Sequence, residues 1–225
     1  MKVSLLSYTD QPEKKVAAAA RLCYSPIGAD KLLEDMDDGR TQEFLSKLIS
    51  MGHLSPLEHI SFTFAIEGVS RVLSHQMVRH RIASYSQKSQ RYVSEQDFQY
   101  IVPPAIKENE QALVLYREQM SVIADAYAEL AKIVAKEDAR YILPSACETK
   151  FVATFNARSL LNFFQHRCCR RAQWEIRQLA DEMLSQVRQV APVIFQKAGA
   201  ACVSQGVCYE GAMSCGRIKN VVTRG

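Results

Sequence analysis

From Ile60 to Glu67 the chain alternates without a break, with Ile60, Phe62, Phe64 and Ile66 apolar and Ser61, Thr63, Ala65 and Glu67 between them. A period of two puts each set on its own face of an extended chain, which predicts a strand with one buried side. Gly68 is expected to break that strand. Ser70 then caps a helix in which Val69, Val72, Leu73 and Met77 recur at helical spacing, with Gln76 and Arg79 three apart on one face. Thr149–Phe155, rich in β-branched and aromatic residues, predicts a second strand. Asn156 follows as the N-cap of the helix ARSLLNFFQHR, in which Arg158 and Asn162 share a face. Val3–Tyr8 is a short apolar strand, with Thr9 and Asp10 as turn and cap before a helix from about Pro12 to Cys23.

Helical character resumes at Lys31–Met36, and again from Thr41 as a cap to Met51, where Gly52 ends it. A near-heptad stripe of Leu113, Tyr116, Met120, Ile123, Tyr127, Leu130 and Val134 predicts a long helix packed along its length. A short helix at Ala139–Leu143 stops at Pro144 and carries Arg140, with Asp138 as its local partner. Ile176, Leu179, Met183, Val187 and Val190 form a last stripe before Pro192. A sheet accompanied by many helices is an α+β arrangement.

Composition narrows the class. With 225 residues, 48% hydrophobic and 23% charged, the chain is long enough for one domain over residues 1–225, and no repeat or linker divides it. The stretch from about Gly199 to the basic C-terminal end has no assigned role. The formal charge of +4 is concentrated near Arg79–Arg91 and Arg167–Arg177, which suits a compact anionic ligand better than a long polyanion. Seven cysteines without regular spacing, and no CxxC or HExxH pattern, point to a reducing cytoplasm, thiols buried as small apolar groups and no metal. No apolar run is long enough to span a bilayer, so no membrane partner is expected.

The densest chemistry lies at Arg79–Tyr92, RHRIASYSQKSQRY, where Arg79, His80, Arg81, Lys88 and Arg91 are interleaved with Ser84, Ser86 and Ser89 and no acidic residue intervenes. Planar guanidinium forks with hydroxyls beside them are the donor mixture that phosphate oxygens require. The bland alternative is a solvated basic loop, but Ile82, Ala83 and Tyr85 threaded between the charges predict partial burial. The loop GHLSPLEH, Gly52–His59, stands before the alternating strand, a position where loops often carry function. Neither GxGxxG nor GxxxxGK[ST] occurs, so any flavin is not held in a Rossmann unit. Cys147 has no base beside it in sequence.

Arg79, His80, Arg81, Ser84, Ser89 and Arg91 fit RHRxxSxxxxSxR, six fixed positions in thirteen, and so the chain resembles the flavin-dependent thymidylate synthases. GHLSPLEH, ARYILP and FNARSLLNF through AQWEI extend the resemblance over most of the chain. It implies a homotetramer that methylates dUMP to dTMP, with FAD as redox carrier, methylenetetrahydrofolate as carbon donor and NADPH as reductant, releasing tetrahydrofolate. By the same resemblance His53 and Ser55 belong to the flavin and folate site, with His53 catalytic and His59 structural. Arg79, His80, Arg81, Gln87, Asn156, Arg158 and Asn162 contact flavin. Gln76, Ser89, Arg91 and Arg140 bind dUMP, a set that Arg79 and Gln87 extend, and Arg167 lies against the uracil ring. Ser86 and Gln87 depart from the asparagine and acidic residue common in relatives. A nucleic-acid module stacking bases on Tyr85 and Tyr92 is the rival reading, but only these two aromatics interleave with the charges and no nucleic-acid partner is expected.

Overall fold

The computed structural model describes residues 1–222, so the basic end at Arg224 lies outside the described residues. Strands β1 (Lys2–Tyr8), β2 (Ser61–Ser70), β3 (Ser84–Gln87) and β4 (Glu148–Asn156) form an antiparallel sheet in the order β1-β2-β4-β3. Helices α1 (Pro12–Leu22), α2 (Ala29–Glu34) and α3 (Asp38–Ser50) precede β2, and α4 (Arg71–Met77) follows it. Between β3 and β4 come α5 (Pro104–Lys107), α6 (Glu110–Ile133) and α7 (Lys136–Ala139). After β4 come α8 (Ala157–Arg167), α9 (Trp174–Val190), α10 (Pro192–Phe195) and α11 (Ala201–Ser204). The α+β class is as the pattern predicts.

Contacts divide the chain into two compact units, both discontinuous in sequence. The first takes residues 1–2, 66–79 and 85–152. Its apolar centre is Phe98, Met120 and Cys147, with Tyr100, Tyr116 and Ile123 packed against them. The second takes residues 3–65, 80–84 and the chain from Ala153 onward. There Phe62, Phe164 and Phe195 meet edge to face with ring centroids 5.5 and 6.0 Å apart, and Leu179, Met183 and Val187 of α9 are fully buried.

Polar side chains close what the backbone leaves open in the second unit. Gln186 of α9 accepts from Leu5 N at 2.7 Å and donates to Val3 O at 2.9 Å, covering the outer edge of β1. Glu13 of α1 accepts from Val193 N and Ile194 N, the otherwise orphaned amides of α10. Thr63 and Thr154 face each other across β2 and β4 with their hydroxyls 2.9 Å apart.

Several local expectations fail for identifiable reasons. Gly68 does not end β2: it takes φ 67 inside the strand, its N–H donates to Glu148 Oε1 at 3.0 Å, and the strand runs on to Ser70. Ser70 does cap α4, accepting from Leu73 N. Val72 is exposed, so the apolar face of α4 is Leu73 and Met77. The N-cap of α1 is Gln11, left-handed at φ 45, in place of Thr9 or Asp10. Asp37 caps α3, while Thr41 lies buried one turn inside with its hydroxyl donating to Asp37 O. Asp37 offers a carboxylate to an exposed amide, the stronger cap of the two. The helix placed at Lys31–Met36 is α2, and the one placed at Ala139–Leu143 is split between α7 and a 3₁₀ turn at Arg140–Ile142. Along α6 only Met120 and Tyr127 are buried, so the stripe is packed over part of its length. Of the thiols, Cys147 and Cys208 are buried, whereas Cys23 and Cys215 are exposed.

Candidate functional site

The candidate residues divide between the two units. In the first unit the signature segment is held down from below. Tyr85 is half-buried, its hydroxyl donates to Met77 O at 2.9 Å, and burial raises its pKa. Its ring is therefore built into the fold and is not an open stacking platform. Gln87 donates from Nε2 to Thr149 Oγ1 at 3.0 Å, and the next amide, Lys88 N, donates to Lys150 O. Lys88 Nζ lies 2.8 Å from Glu95 Oε1 and 3.7 Å from Glu148 Oε2, forming a largely buried ionic cluster under the segment that carries Ser89 and Arg91.

In the same unit Arg91 and Arg140 meet at Glu137, and Ser89 contacts the backbone of Arg91. Ser89 Oγ accepts from Arg91 N at 3.3 Å. Arg91 places both Nε and Nη2 on Glu137 Oε2, at 2.9 and 2.8 Å, and its guanidinium stacks on the Tyr92 ring. Arg140 Nε donates to Glu137 O at 3.0 Å, which replaces the expected pair with Asp138. Carbonyls in the last turn of a helix have no helical donor above them, and Arg140 reaches back three residues to one of them. One acidic residue thus gathers two arginines from distant positions. Gln76 sits half-buried on α4, but Arg79 lies past the helix end in an exposed turn, so the two do not share a helical face.

The second unit holds the other set. His53 and Ser55 are exposed; Gly52 takes φ 77, and Ser55 opens a 3₁₀ turn to His59. From this turn Glu58 Oε1 accepts from Arg158 Nη1 at 2.5 Å. Asn156 caps α8, its Oδ1 accepting from Ser159 N at 2.8 Å, so any ligand it meets is offered the Nδ2 donors. Arg158 and Asn162 line a cavity of about 620 Å³ together with Gly52, Leu54, Leu161 and Gln165. Gln165 was not anticipated, although its spacing of three from Asn162 and seven from Arg158 puts it on the same face of α8. Arg81 is exposed.

His80 and Arg167, far apart in sequence, meet directly. Arg167 Nε donates to His80 Nε2 at 3.0 Å, and the imidazole stands edge-on to Phe163 with centroids 4.9 Å apart. Burial, then the charge of Arg167, then that of His166, lower the His80 pKa to about 4. The ring is therefore neutral near pH 7, with Nε2 as the acceptor. A smaller cavity of about 270 Å³ is lined by Cys169, Cys202, Cys208 and Cys215 with Arg170 and Arg217, which gives the C-terminal segment surroundings that its sequence did not suggest. Among the described residues no group of three metal-ligating side chains is drawn together, and no helix is long and apolar enough to cross a membrane.

A family model described as thymidylate synthase complementing protein matches residues 4–193. A flavin-dependent thymidylate synthase of Clostridium tetani is 53% identical to the chain, over 96% of the chain and 94% of that protein. Proteins of the same name from Geobacter sulfurreducens and Nitratidesulfovibrio vulgaris are 52% and 46% identical, over 98% and 96% of the chain and 96% and 94% of their own lengths. The match takes in the RHR signature, the GHLSPLEH loop and all of α8, and the chain belongs to the flavin-dependent thymidylate synthase family.

Proposed function

We propose that the chain catalyses the reductive methylation of dUMP to dTMP in the cytoplasm, taking the carbon from methylenetetrahydrofolate and reducing equivalents from NADPH, with FAD as the redox carrier and tetrahydrofolate as the second product. The observation that carries this reading is the state of Arg167, a half-buried guanidinium whose Nε is engaged by a neutral imidazole. Methylation at C5 of a pyrimidine requires electron density pushed into the ring. A thiolate adding to the ring is one source of it. Here Cys147 is fully buried and its pKa is pushed up to about 11, by burial first and then by the charge of Glu95, so it stays protonated near pH 7. Burial and Asp181 raise the Cys168 pKa further. The other source is stabilisation of the ring's ionised N3–carbonyl edge by a permanent cation, and Arg167 suits that task.

The first unit's cluster suits the nucleotide phosphate. Ser89, Arg91 and Arg140 supply a hydroxyl and two guanidinium forks, with Gln76 and Arg79 assigned beside them. The Arg91–Glu137 pair is half-exposed and screened by solvent, so exchanging Glu137 for a phosphate costs little. The donor set of the second unit fits a flavin. Arg158, Asn162 and Gln165 offer cationic and amide donors to ring carbonyls and phosphate oxygens, Leu54 and Leu161 offer apolar wall, and the cavity volume is in the range of cofactor sites. We assign Ser55, His80, Arg81 and Asn156 to the same cofactor, His53 to the folate side, and Gln87 of the first unit to the nucleotide. Bound flavin would supply reversible two-electron carriage between the reductant and the transferred carbon. Large apolar side chains left open on α6, with Leu115 at 60% and Ile133 at 79% exposure, support assembly into a homotetramer.

The test is tritium release from C5-labelled dUMP by purified protein reconstituted with FAD, with and without NADPH, alongside dTMP formation. Release with NADPH-dependent dTMP is expected. A preparation that takes up no flavin and leaves the label in place would overturn the reading.

A further inference from the structure

We propose that Glu137 is an internal stand-in for the nucleotide phosphate: in the empty site its carboxylate takes the Arg91 guanidinium, and the phosphate takes its place when the nucleotide binds. This rests on the assignment of Arg91 and Arg140 to the phosphate made above. It gives a role to an acidic residue that the sequence did not single out.

The way Glu137 holds the two arginines carries the inference. Arg91 Nε and Nη2 both reach a single carboxylate oxygen, Oε2, at 2.9 and 2.8 Å, whereas Arg140 Nε donates to the main-chain carbonyl of the same residue at 3.0 Å. Swinging the Glu137 side chain aside therefore releases Arg91 and leaves Arg140 where it is. Arg91 also keeps its place without the carboxylate. Its guanidinium lies 5.6 Å from the centroid of the Tyr92 ring, its N–H donates to Ser89 Oγ, and the Tyr92 and Val93 amides donate to Ser89 O, which closes the segment into a turn. Because Ser89 Oγ accepts there, its hydroxyl proton can be turned toward an incoming oxygen.

Another ion pair on the same segment shows the contrast. Lys88 and Glu95 are largely buried, and parting them strands a charge away from water. Arg91 and Glu137 are both half-exposed, so solvent replaces much of what either loses. The first pair is structural and the second is exchangeable. Exchange favours the phosphate, because a phosphomonoester carries a charge of about −1.5 to −2 near pH 7 and three acceptor oxygens. A carboxylate has one charge and two oxygens, and the phosphate can engage two guanidinium forks at once. When the nucleotide leaves, two arginines gathered at one residue again need an anion, and a tethered carboxylate returns at high effective concentration. The consequence is a lower affinity for every ligand that binds through Arg91.

The experiment measures binding of dUMP, of dTMP and of deoxyuridine, which lacks the phosphate, to the FAD-loaded protein by isothermal titration calorimetry. Wild type is compared with Glu137→Gln, Glu137→Ala, Arg91→Ala and Glu137→Gln/Arg91→Ala, and folding is checked by circular dichroism. Both Glu137 variants are expected to bind dUMP and dTMP about two- to fivefold more tightly, the reach of one half-exposed ion pair, with deoxyuridine unchanged. The gain is lost in the Arg91→Ala background. Weaker or unaltered dUMP binding in either folded Glu137 variant, a matching change for deoxyuridine, or an equal gain in the Arg91→Ala background would overturn the proposal; each Glu137 variant carries the test if the other fails to fold. An Arg91→Ala protein that prefers dUMP over deoxyuridine as strongly as wild type does would instead sink the assignment of this cluster to the phosphate. Loss of that preference beside unaltered Glu137 variants would sink this proposal alone.

Discussion

Replacing Lys88 by methionine removes an ammonium from a cluster that has little else to compensate it. Side-chain exposure is 16% for Lys88, 4% for Glu95 and 20% for Glu148. Glu95 Oε2 takes a hydrogen bond from Nζ at 3.2 Å, whereas Oε1 has no hydrogen bond and is compensated by the same charge at 2.8 Å. Burial works against the ammonium, but the hydrogen bond and charge of Glu95, with Glu148 behind, outweigh it and hold the Lys88 pKa above its ordinary value. In Lys88→Met, Glu95 is left buried and unpaired beside a second carboxylate. Breaking one side of a buried pair costs about 3–5 kcal/mol. The residual exposure of Lys88 favours the lower end, about 3 kcal/mol, or roughly 6–12 °C in Tm for a chain of this size.

The cost has a pH signature, because Glu95 in the variant prefers to be protonated. Its folded pKa then lies above its unfolded one, near 4.3. The penalty is absent below that unfolded value and grows as pH rises through the folded pKa. Thermal melts followed by circular dichroism at pH 5 and pH 8 should show the variant nearer to wild type at pH 5. Lys88→Met/Glu95→Gln should recover much of the loss at pH 8, since the remaining group is neutral. A single variant that melts with wild type at pH 8, or a double variant no better than the single, refutes the reasoning.

Four further outcomes follow from the same structure. Arg167→Ala should abolish dTMP formation while flavin absorbance is retained, and Arg167→Lys should not restore turnover because the fork is lost; a turnover assay with a spectrum of the purified variant decides it. Gly68→Ala should cost about 1–2 kcal/mol by chemical denaturation, since φ 67 is strained for any side chain and the new Cβ would lie 3.4 Å from Met1 N; an unchanged midpoint would contradict this. Glu13→Ala strands two amides of α10 and should cost about 2–3 kcal/mol, whereas Glu13→Gln keeps an acceptor and should cost less. His80 has a folded pKa of about 4 against 6.5 unfolded, so its contribution to stability is present above pH 6.5 and is lost as pH falls toward 4. Melting midpoints of wild type should therefore drop more steeply over that window than those of His80→Leu.

The sequence was most informative where one physical constraint dominated. Strict alternation located the core of β2, Asn156 marked the start of α8, and the RHR signature marked the segment that joins the charged clusters. It was least informative where two constraints compete at one position. Gly68 looks like a stop because glycine is poor in strands, but its N–H finds Glu148, a partner eighty positions away, and the strand continues. Thr41 looks like a cap until Asp37 is seen four residues earlier with a better acceptor. The apolar stripe of α6 has the right period, yet period alone does not say what stands opposite each turn. In the site, spacing put Arg158 and Asn162 on one face of α8, and Gln165 follows from the same arithmetic. The pairing of His80 with Arg167, the meeting of Arg91 and Arg140 at Glu137, and the Arg158–Glu58 contact all join segments tens of residues apart, and no local pattern announces them.

The connections made by Gln186 and Glu13 bear on how the protein is made. β1 and α1 emerge from the ribosome well before their partners: the side chain that completes β1 lies at residue 186 and the amides that satisfy Glu13 lie at 193 and 194. The second unit cannot close until residues 186–194 have been made, roughly ten seconds or more after β1 appears. Through that interval Phe62 lacks Phe195, the ring it meets edge to face in the finished unit. Nascent chains stalled before residue 186 should accordingly be strong clients of ribosome-associated chaperones, and release should coincide with the exit of α10.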